Sequence, residues 1–294
     1  CINLQTINLK GVSYIGDAAF NNAFIAQNDA LATQNPVTLN LTSAQYIGVG
    51  AFDSSVWTST TTTTTGGSNQ TTTTVPTHQV LPGTVGSSST DNSTTTTVTV
   101  VESQNLSKIS SVSFAKPLTT LSAYAFNGAN YLTSADLSNC TNLASVGQNA
   151  FSNTANLGDV KFSPTIDTIG NNAFSNAPLK NTLTFNTNGN LTIGENAFSG
   201  QVLTTIDFSN VKGNIVIGTS AFSNTNTTNS SLTTLTLPAA PTDGNIKNFV
   251  MIGENAFSNC NALTLPGLTG DATTYSLPSN IAYVGPNAFS TTTL

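Results

Sequence analysis

Three acidic residues occupy similar places in the sequence and are the first candidates for chemistry. Asp136, Asp159 and Asp207 each lie in a short stretch in which apolar and polar residues alternate. Two carboxylates on one face could act as the acid and the nucleophile or base of a glycosidase. Because Lys161 lies among them and solvated aspartates are common on exposed strands, we expect no catalysis at these positions.

Other reactive side chains are few and scattered. The single histidine, His78, has no acid patterned near it that would make it the base of a nucleophilic site. Three cysteines with one histidine cannot build a standard structural zinc site. Gly66 and Gly67 lack the lysine that follows the glycines of a phosphate-binding loop. We therefore predict no enzyme, no cofactor and no metal site.

The charge content excludes further classes of protein. Only 7% of the 294 residues are charged, the seven basic residues are all lysine, and the net charge is −6. Such a chain neutralises few phosphates, so nucleic-acid binding is not expected. The sequence has no run of about 18 apolar residues, so we predict no transmembrane segment.

A hexapeptide of the form aliphatic-Gly-x-x-Ala-Phe recurs nine times and determines the predicted fold. Only one copy departs from it, with Ser122 in place of the glycine. The inner copies recur every 23 to 25 residues, which is within the range of leucine-rich repeats. The copies begin at Ile15, Ile47, Leu121, Val146, Ile169, Ile193, Ile217, Ile252 and Val284.

Between the hexapeptides, two apolar residues flank one polar residue, a pattern that indicates one short strand in each repeat. A single strand must pair with the same strand of the next repeat, which predicts a parallel sheet along a solenoid. The phenylalanines should stack through the core, and the glycine should allow either a positive φ or a close approach of the backbone. Asn153, Asn176, Asn224 and Asn259, which follow the Phe-Ser of their repeats, should bond backbone groups in the bend.

The repeat resembles the BspA-type (Treponema-type) leucine-rich repeat. Leu235-Thr236-Leu237-Pro238 and the stretch from Ile252 to Cys260 carry the resemblance most closely. It implies a mainly β, right-handed solenoid of about nine coils, of a kind found on bacterial or protist surfaces and used in adhesion and protein binding.

One large insertion interrupts the solenoid. We divide the chain into the first two repeats (1–52), a Thr/Ser-rich insertion (53–101) and seven further repeats (102–294). The insertion contains long threonine runs and the only tryptophan, Trp57. Three interpretations stay open: a β-hairpin arm, a flexible or glycosylated stalk, and two degenerate repeats.

The cysteines and the two ends of the chain give further expectations. At about 4.8 Å per coil, Cys140 and Cys260 should lie roughly 20 Å apart, too far for a disulfide. Cys1 fits a lipid-anchored N-terminal cysteine and equally an arbitrary boundary of the sequence. Neither end carries a polar cap, so we expect a chain that continues or a partner that covers the ends.

The outward-facing strand residues are the candidate site for a partner. We call them the strand-face strip: Asn8, Asn40, Ser113, Asp136, Asp159, Lys161, Thr184, Asp207, Thr236 and Ser276. The strip is polar and nearly uncharged. We expect a secreted or cell-surface protein that binds a host, matrix or neighbouring surface protein through this strip and the insertion. The alternatives are a structural spacer in a longer surface protein and, less favoured, binding of glycans or an ordered surface.

Overall fold

The computed structural model describes residues 6–24, 36–54, 61–62, 72–73, 108–224, 231–240, 248–263, 269–271, 274–276 and 278–292. The chain divides into two compact units, one of residues 1–54 and 106–294 and the other of residues 55–105. The first unit is the repeat solenoid. In the second, the described residues are two short antiparallel strands, Thr61–Thr62 and Thr72–Thr73. The remainder of the insertion lies outside the described residues, so the hairpin arm stays a prediction.

The described secondary structure consists of short strands joined by turns. In chain order the strands are β1 (Thr6–Asn8), β2 (Tyr14–Ile15), β3 (Val37–Asn40), β4 (Tyr46–Ile47), β5 (Thr61–Thr62), β6 (Thr72–Thr73), β7 (Ile109–Ser113), β8 (Thr120–Leu121), β9 (Ser134–Asp136), β10 (Ser145–Val146), β11 (Asp159–Lys161), β12 (Thr168–Ile169), β13 (Lys180–Thr184), β14 (Leu191–Ile193), β15 (Val202–Asp207), β16 (Ile215–Ile217), β17 (Thr234–Thr236), β18 (Val250–Ile252), β19 (Thr269–Asp271), β20 (Thr274–Ser276) and β21 (Ile281–Val284). Among these residues there is no helix of the length and apolarity needed to cross a membrane.

Most coils contain two strands rather than the one that the sequence predicted. The second strand ends on the aliphatic residue that opens the hexapeptide. These strands build the longest sheet, in the order β2-β4-β8-β10-β12-β14-β16-β18-β21, and every neighbouring pair is parallel. The predicted strands form three shorter parallel sheets, β1-β3-β7, β9-β11 and β13-β15-β17. The mainly β solenoid with parallel pairing is therefore confirmed.

The hexapeptide phenylalanines form one continuous stack through the core, as predicted. Each ring lies nearly parallel to the ring of the next coil, with centroids 5.1 to 5.4 Å apart, from Phe20 through to Phe289. A second, shorter stack of Phe162, Phe185 and Phe208 packs edge-on against it. The alanine beside each inner ring is completely buried, so the stacked coils leave room for nothing larger than a methyl group there.

The motif glycine serves close approach, the second of the two roles that the sequence allowed. At Gly170, an added Cβ would lie 2.6 Å from the backbone nitrogen of Gln148 in the preceding coil. The positive φ falls instead on the fourth residue of the hexapeptide. All nine copies have a φ of 52 to 60° there, and five of these residues are asparagine. Asparagine is the side-chain-bearing residue that tolerates this left-handed conformation best.

The asparagines that follow Phe-Ser behave differently from the prediction. Asn153 and Asn176 also have a positive φ, and their side chains bond to side chains of neighbouring coils. The Nδ2 of Asn176 donates to Oδ1 of Asn153 over 3.1 Å, and the Nδ2 of Asn153 donates to Oδ1 of Asn127 over 3.5 Å. Asn127 continues the ladder by donating to the buried Asp53. Because the coils stack in register, these side-chain amides form hydrogen bonds with amides of the neighbouring coil rather than with backbone groups.

Two cysteines lie inside the solenoid, and they form no disulfide with each other. Cys140 and Cys260 are both buried free thiols. Burial raises the pKa of Cys140 to about 11, and the nearby Asp136 carboxylate adds to this increase. The thiol is therefore protonated at neutral pH and acts as a small apolar group in the core. Cys1 lies outside the described residues.

Because the coils approach closely at some motif glycines and not at others, we expect the loss of stability on replacing the glycine to depend on its position in the solenoid. We expect Gly170→Ala to lower the free energy of unfolding by about 1–3 kcal/mol, because the new methyl group overlaps the backbone of the preceding coil. Gly16→Ala changes the same motif position in the first described coil. There the nearest atom to the new Cβ is a Tyr14 ring carbon at 3.9 Å, so a change below about 0.5 kcal/mol is expected.

Chemical denaturation of the two variants and the parent chain measures this difference. Equal losses for Gly170→Ala and Gly16→Ala would show that the glycine is required for something other than coil-to-coil approach.

Candidate partner-binding surface

The structure aligns most of the strand-face strip into rows that run across neighbouring coils. In the first sheet Asn8 pairs with Asn40, which pairs with Ser113. In the last sheet Thr184 pairs with Asp207, which pairs with Thr236. These six polar residues form two rows of three neighbours across adjacent coils, as the alternating pattern predicted.

The middle of the strip has the same alignment and carries most of its charges. Lys161 pairs with Asp136, and Asp159 pairs with Ser134. All four of these side chains are exposed. The strip thus contains two carboxylates and one ammonium group at its centre and one further carboxylate, Asp207, in the last sheet.

Ser276 is the one member that the structure places elsewhere. The strand that contains it, β20, pairs antiparallel with β19, and Ser276 faces Thr269 in that pair. The sequence had predicted a further parallel strand here, continuing the row beyond Thr236. The repeat between Phe257 and Phe289 is longer than the inner repeats, and the additional residues let this segment pair with itself.

Four strip residues have a structural role that the sequence interpretation missed. The side-chain oxygen of each accepts a hydrogen bond from the backbone N–H two residues later, which starts the turn that ends the strand. Asn8 accepts from Lys10 over 2.9 Å, Asn40 from Thr42 over 3.2 Å, Asp136 from Ser138 over 3.0 Å and Asp207 from Ser209 over 2.8 Å. The sequence signal was the recurrence of Asn or Asp two positions before Ser or Thr, which holds for Asn40, Asp136 and Asp207.

The ion pair at the centre of the strip is exposed. The Nζ of Lys161 lies 3.6 Å from Oδ2 of Asp136, and the two side chains are 60% and 51% exposed. The pKa of Asp136 is lowered, mainly by the hydrogen bond from the Ser138 hydroxyl, with smaller contributions from the Ser138 backbone and Lys161 against an opposing desolvation. A pair this exposed contributes little to stability, so Lys161 can exchange Asp136 for a partner's carboxylate.

The remaining members keep their polar groups available. Within the part of the chain that the structure describes, the side chains of Ser113, Asp159, Thr184 and Thr236 form no hydrogen bond or ion pair. Together with Lys161 they extend over all three shorter parallel sheets. In the same part of the chain, no three His, Cys, Asp or Glu side chains come close enough to hold a metal ion. The arrangement offers hydrogen bonding and shape rather than reactive chemistry.

Comparison with known proteins identifies the repeat. A family model described as the BspA type leucine rich repeat region matches six copies, over residues 101–229 and 192–294, and so spans more than half of the chain. This match confirms the resemblance that the hexapeptide predicted. No curated protein matches the chain significantly.

Two solved structures are also similar to the chain. A leucine-rich repeat protein from Bacteroides ovatus is 19% identical, with a TM-score of 0.40, over 95% of this chain and 68% of that one. A leucine rich cell surface protein from Faecalibacterium prausnitzii is 14% identical, with a TM-score of 0.30, over 98% of this chain and 79% of that one.

The hydrogen bonds at the strand ends predict which strip carboxylate stabilises the fold. Asp136→Ala removes the acceptor for Ser138, and we expect it to lower the free energy of unfolding by about 1 kcal/mol. Asp136→Asn keeps an acceptor oxygen in place and should lose less than half as much. Asp159→Ala, on the same face without such a bond, should change stability by less than about 0.5 kcal/mol. Urea unfolding at neutral pH measures all three.

The lowered pKa of Asp136 predicts how the decrease in the free energy of unfolding caused by Asp136→Ala depends on pH. The contribution is complete above the unfolded pKa of about 4 and disappears as the pH falls through the lower folded value. The difference between the parent and Asp136→Ala should therefore stay level from about pH 7 to about pH 5 and shrink between about pH 5 and pH 2. A difference that is constant over this interval would contradict the assigned role of the charged carboxylate.

Proposed function

The chain belongs to the BspA-type leucine-rich-repeat family, and from this premise we propose that it is a surface-located or secreted binding protein that holds a protein partner on its strand-face strip. Members of this family are often cell-surface proteins. The partner class is a host or matrix protein or a neighbouring surface protein. The proposed role is binding rather than catalysis.

The observation that carries this proposal is the alignment of the unbonded strip residues. Ser113, Asp159, Thr184 and Thr236 lie on strands of three parallel ladders with their neighbours in register. Lys161 lies on the same strand as Asp159, and its ion pair is exposed. Repeat proteins use such extended sheet surfaces to bind partners. Each side chain is held by a strand of the scaffold, so little conformational entropy is lost on binding.

The low charge of the strip determines the kind of partner that it fits. Two carboxylates and one lysine occupy its centre, Asp207 lies in the last sheet, and the other members are uncharged hydroxyls and amides. A partner would be held by many hydrogen bonds and by shape, while electrostatic steering would contribute little to the rate of association. We therefore propose a partner surface that is itself largely uncharged, with an acidic group able to reach Lys161.

A further part of the proposal concerns the Thr/Ser-rich insertion, most of which lies outside the described residues. The insertion is proposed as a second contact element, since insertions in repeat proteins project from one face and often carry function.

Binding to immobilised extracellular-matrix proteins (collagen, fibronectin, laminin and fibrinogen) tests the proposal. We expect saturable binding to at least one of them, and an affinity that changes less than about threefold between low and high salt, because the strip is nearly neutral. Thr184→Arg places a long cation in the middle of the strip and should weaken binding by about tenfold or more.

Thr120→Arg is the matched control, since Thr120 is also a half-buried threonine on a strand but lies in the nine-stranded sheet. It should leave the affinity within about twofold of the parent. The proposal is wrong if none of the matrix proteins binds, or if the two arginine variants lose affinity equally.

A further inference from the structure

A depression on the solenoid lies apart from the strand-face strip. It has a volume of about 610 Å³, within the range of small-ligand sites. Its walls are the loop that leads into β12 and the loop that joins β13 to β14, together with the outward side chains of β12 and β14. The residues that the argument uses are Asp167, Thr168, Asn188, Gly189, Asn190 and Thr192. The depression shares no residue with the strip.

Four polar side chains in the depression have unused hydrogen-bonding capacity. Asp167, Thr168, Asn188 and Thr192 form no side-chain hydrogen bond or ion pair with the described residues. Three of them are exposed and Thr168 is half-buried. They supply one carboxylate, one amide and two hydroxyl groups, which together offer both donors and acceptors.

The walls that carry these groups are fixed by hydrogen bonds between coils. The backbone N–H of Thr192 donates to the carbonyl of Asp167 over 2.7 Å, and that of Lys212 donates to the carbonyl of Thr187 over 3.0 Å. The side-chain oxygen of Asn190 accepts from the N–H of Asn214 over 2.9 Å. A site that is already ordered loses little entropy when a ligand enters it.

The position of the two threonines repeats along the solenoid axis. Thr168 and Thr192 are register partners in neighbouring parallel strands, so their hydroxyl groups follow one another at about 4.8 Å. Ser145 pairs with Thr168 on the other side and extends the row of hydroxyl groups by one more coil. An elongated ligand with repeated hydroxyl groups can therefore contact successive coils in the same way.

We propose that this depression binds a neutral oligosaccharide. The lining is polar, contains no lysine and no aromatic ring, and has Asp167 as its single charge. A ligand rich in hydroxyl groups satisfies the unused donors and acceptors, whereas a uronate, sialate or sulfate group would be repelled by the carboxylate. Without ring stacking the affinity is modest, with a Kd of about 0.1–1 mM for a short oligosaccharide.

Gly189 provides a substitution that closes the depression without disturbing the fold. It has no positive φ, and a Cβ built on it meets no atom within 4 Å. Gly189→Leu should therefore fill the depression, keep the parent's thermal unfolding midpoint and abolish binding. Asp167→Asn combined with Thr192→Val removes ligand partners with little change of shape and should weaken binding about fivefold or more.

The experiment titrates the full chain with xylo-, cello- and manno-oligosaccharides and N-acetylglucosamine oligomers, followed by calorimetry and by NMR. Oligogalacturonate and an uncharged extended peptide are titrated in parallel. We expect at least one neutral oligosaccharide to bind, while Gly189→Leu binds none. Thr120→Val, in the same row of the nine-stranded sheet but outside the depression, should bind as the parent does.

Three results would overturn the proposal. The first is a parent chain that binds no neutral oligosaccharide up to about 10 mM. The second is binding that a correctly folded Gly189→Leu retains, or that Thr120→Val loses as strongly as the Asp167 and Thr192 variant. The third is binding of the acidic oligosaccharide or the peptide at least as tightly as any neutral one.

Discussion

The parallel pairing of each coil with the next is the constraint on which the rest of the structure depends. Parallel strands lie about 4.8 Å apart, so every residue stands directly above its equivalent in the neighbouring coil. The phenylalanine rings adopt nearly this spacing, with centroids 5.1 to 5.4 Å apart. At Gly170 and its equivalents in the later coils the backbones come closer than a side chain allows. The glycine, alanine and phenylalanine of the hexapeptide are thus each suited to the same distance between coils.

The same stacking explains why polar residues are abundant without being functional. Asn8, Asn40, Asp136 and Asp207 form the hydrogen bonds that turn the chain at strand ends. The side chains of Asn127, Asn153 and Asn176 bond to one another between coils. A side chain engaged in this way is poorly available to a partner. The residues that remain, such as Asp159 and Thr184 on the strip and Asp167 and Asn188 in the depression, are therefore the more informative candidates.

Whether the sequence predicted a feature depends on whether residues close together in the chain determine that feature. The strands, the phenylalanine stack and the register of Thr184 with Asp207 depend on a repeat that can be read directly, and these expectations match the structure. The second strand of the coils was missed because two to four residues are too few to show alternation. Ser276 was misplaced because its repeat is longer than the others. The depression could not be predicted, since it depends on how two loops from different coils come together.

Stacking in register also accounts for the scarcity of charge. An acidic residue repeated at one position would face its own copy at about 4.8 Å, and like charges directly opposite each other destabilise a sheet. Among the strand pairs of the described residues, no two like charges are partners: Asp136 faces Lys161, and Asp207 lies between Thr184 and Thr236. Stacking in register therefore disfavours like charges at equivalent strand positions before any partner is considered. The low charge limits the kind of ligand that the surface accepts, and the location of a site must be argued from the side chains that the coils leave unbonded.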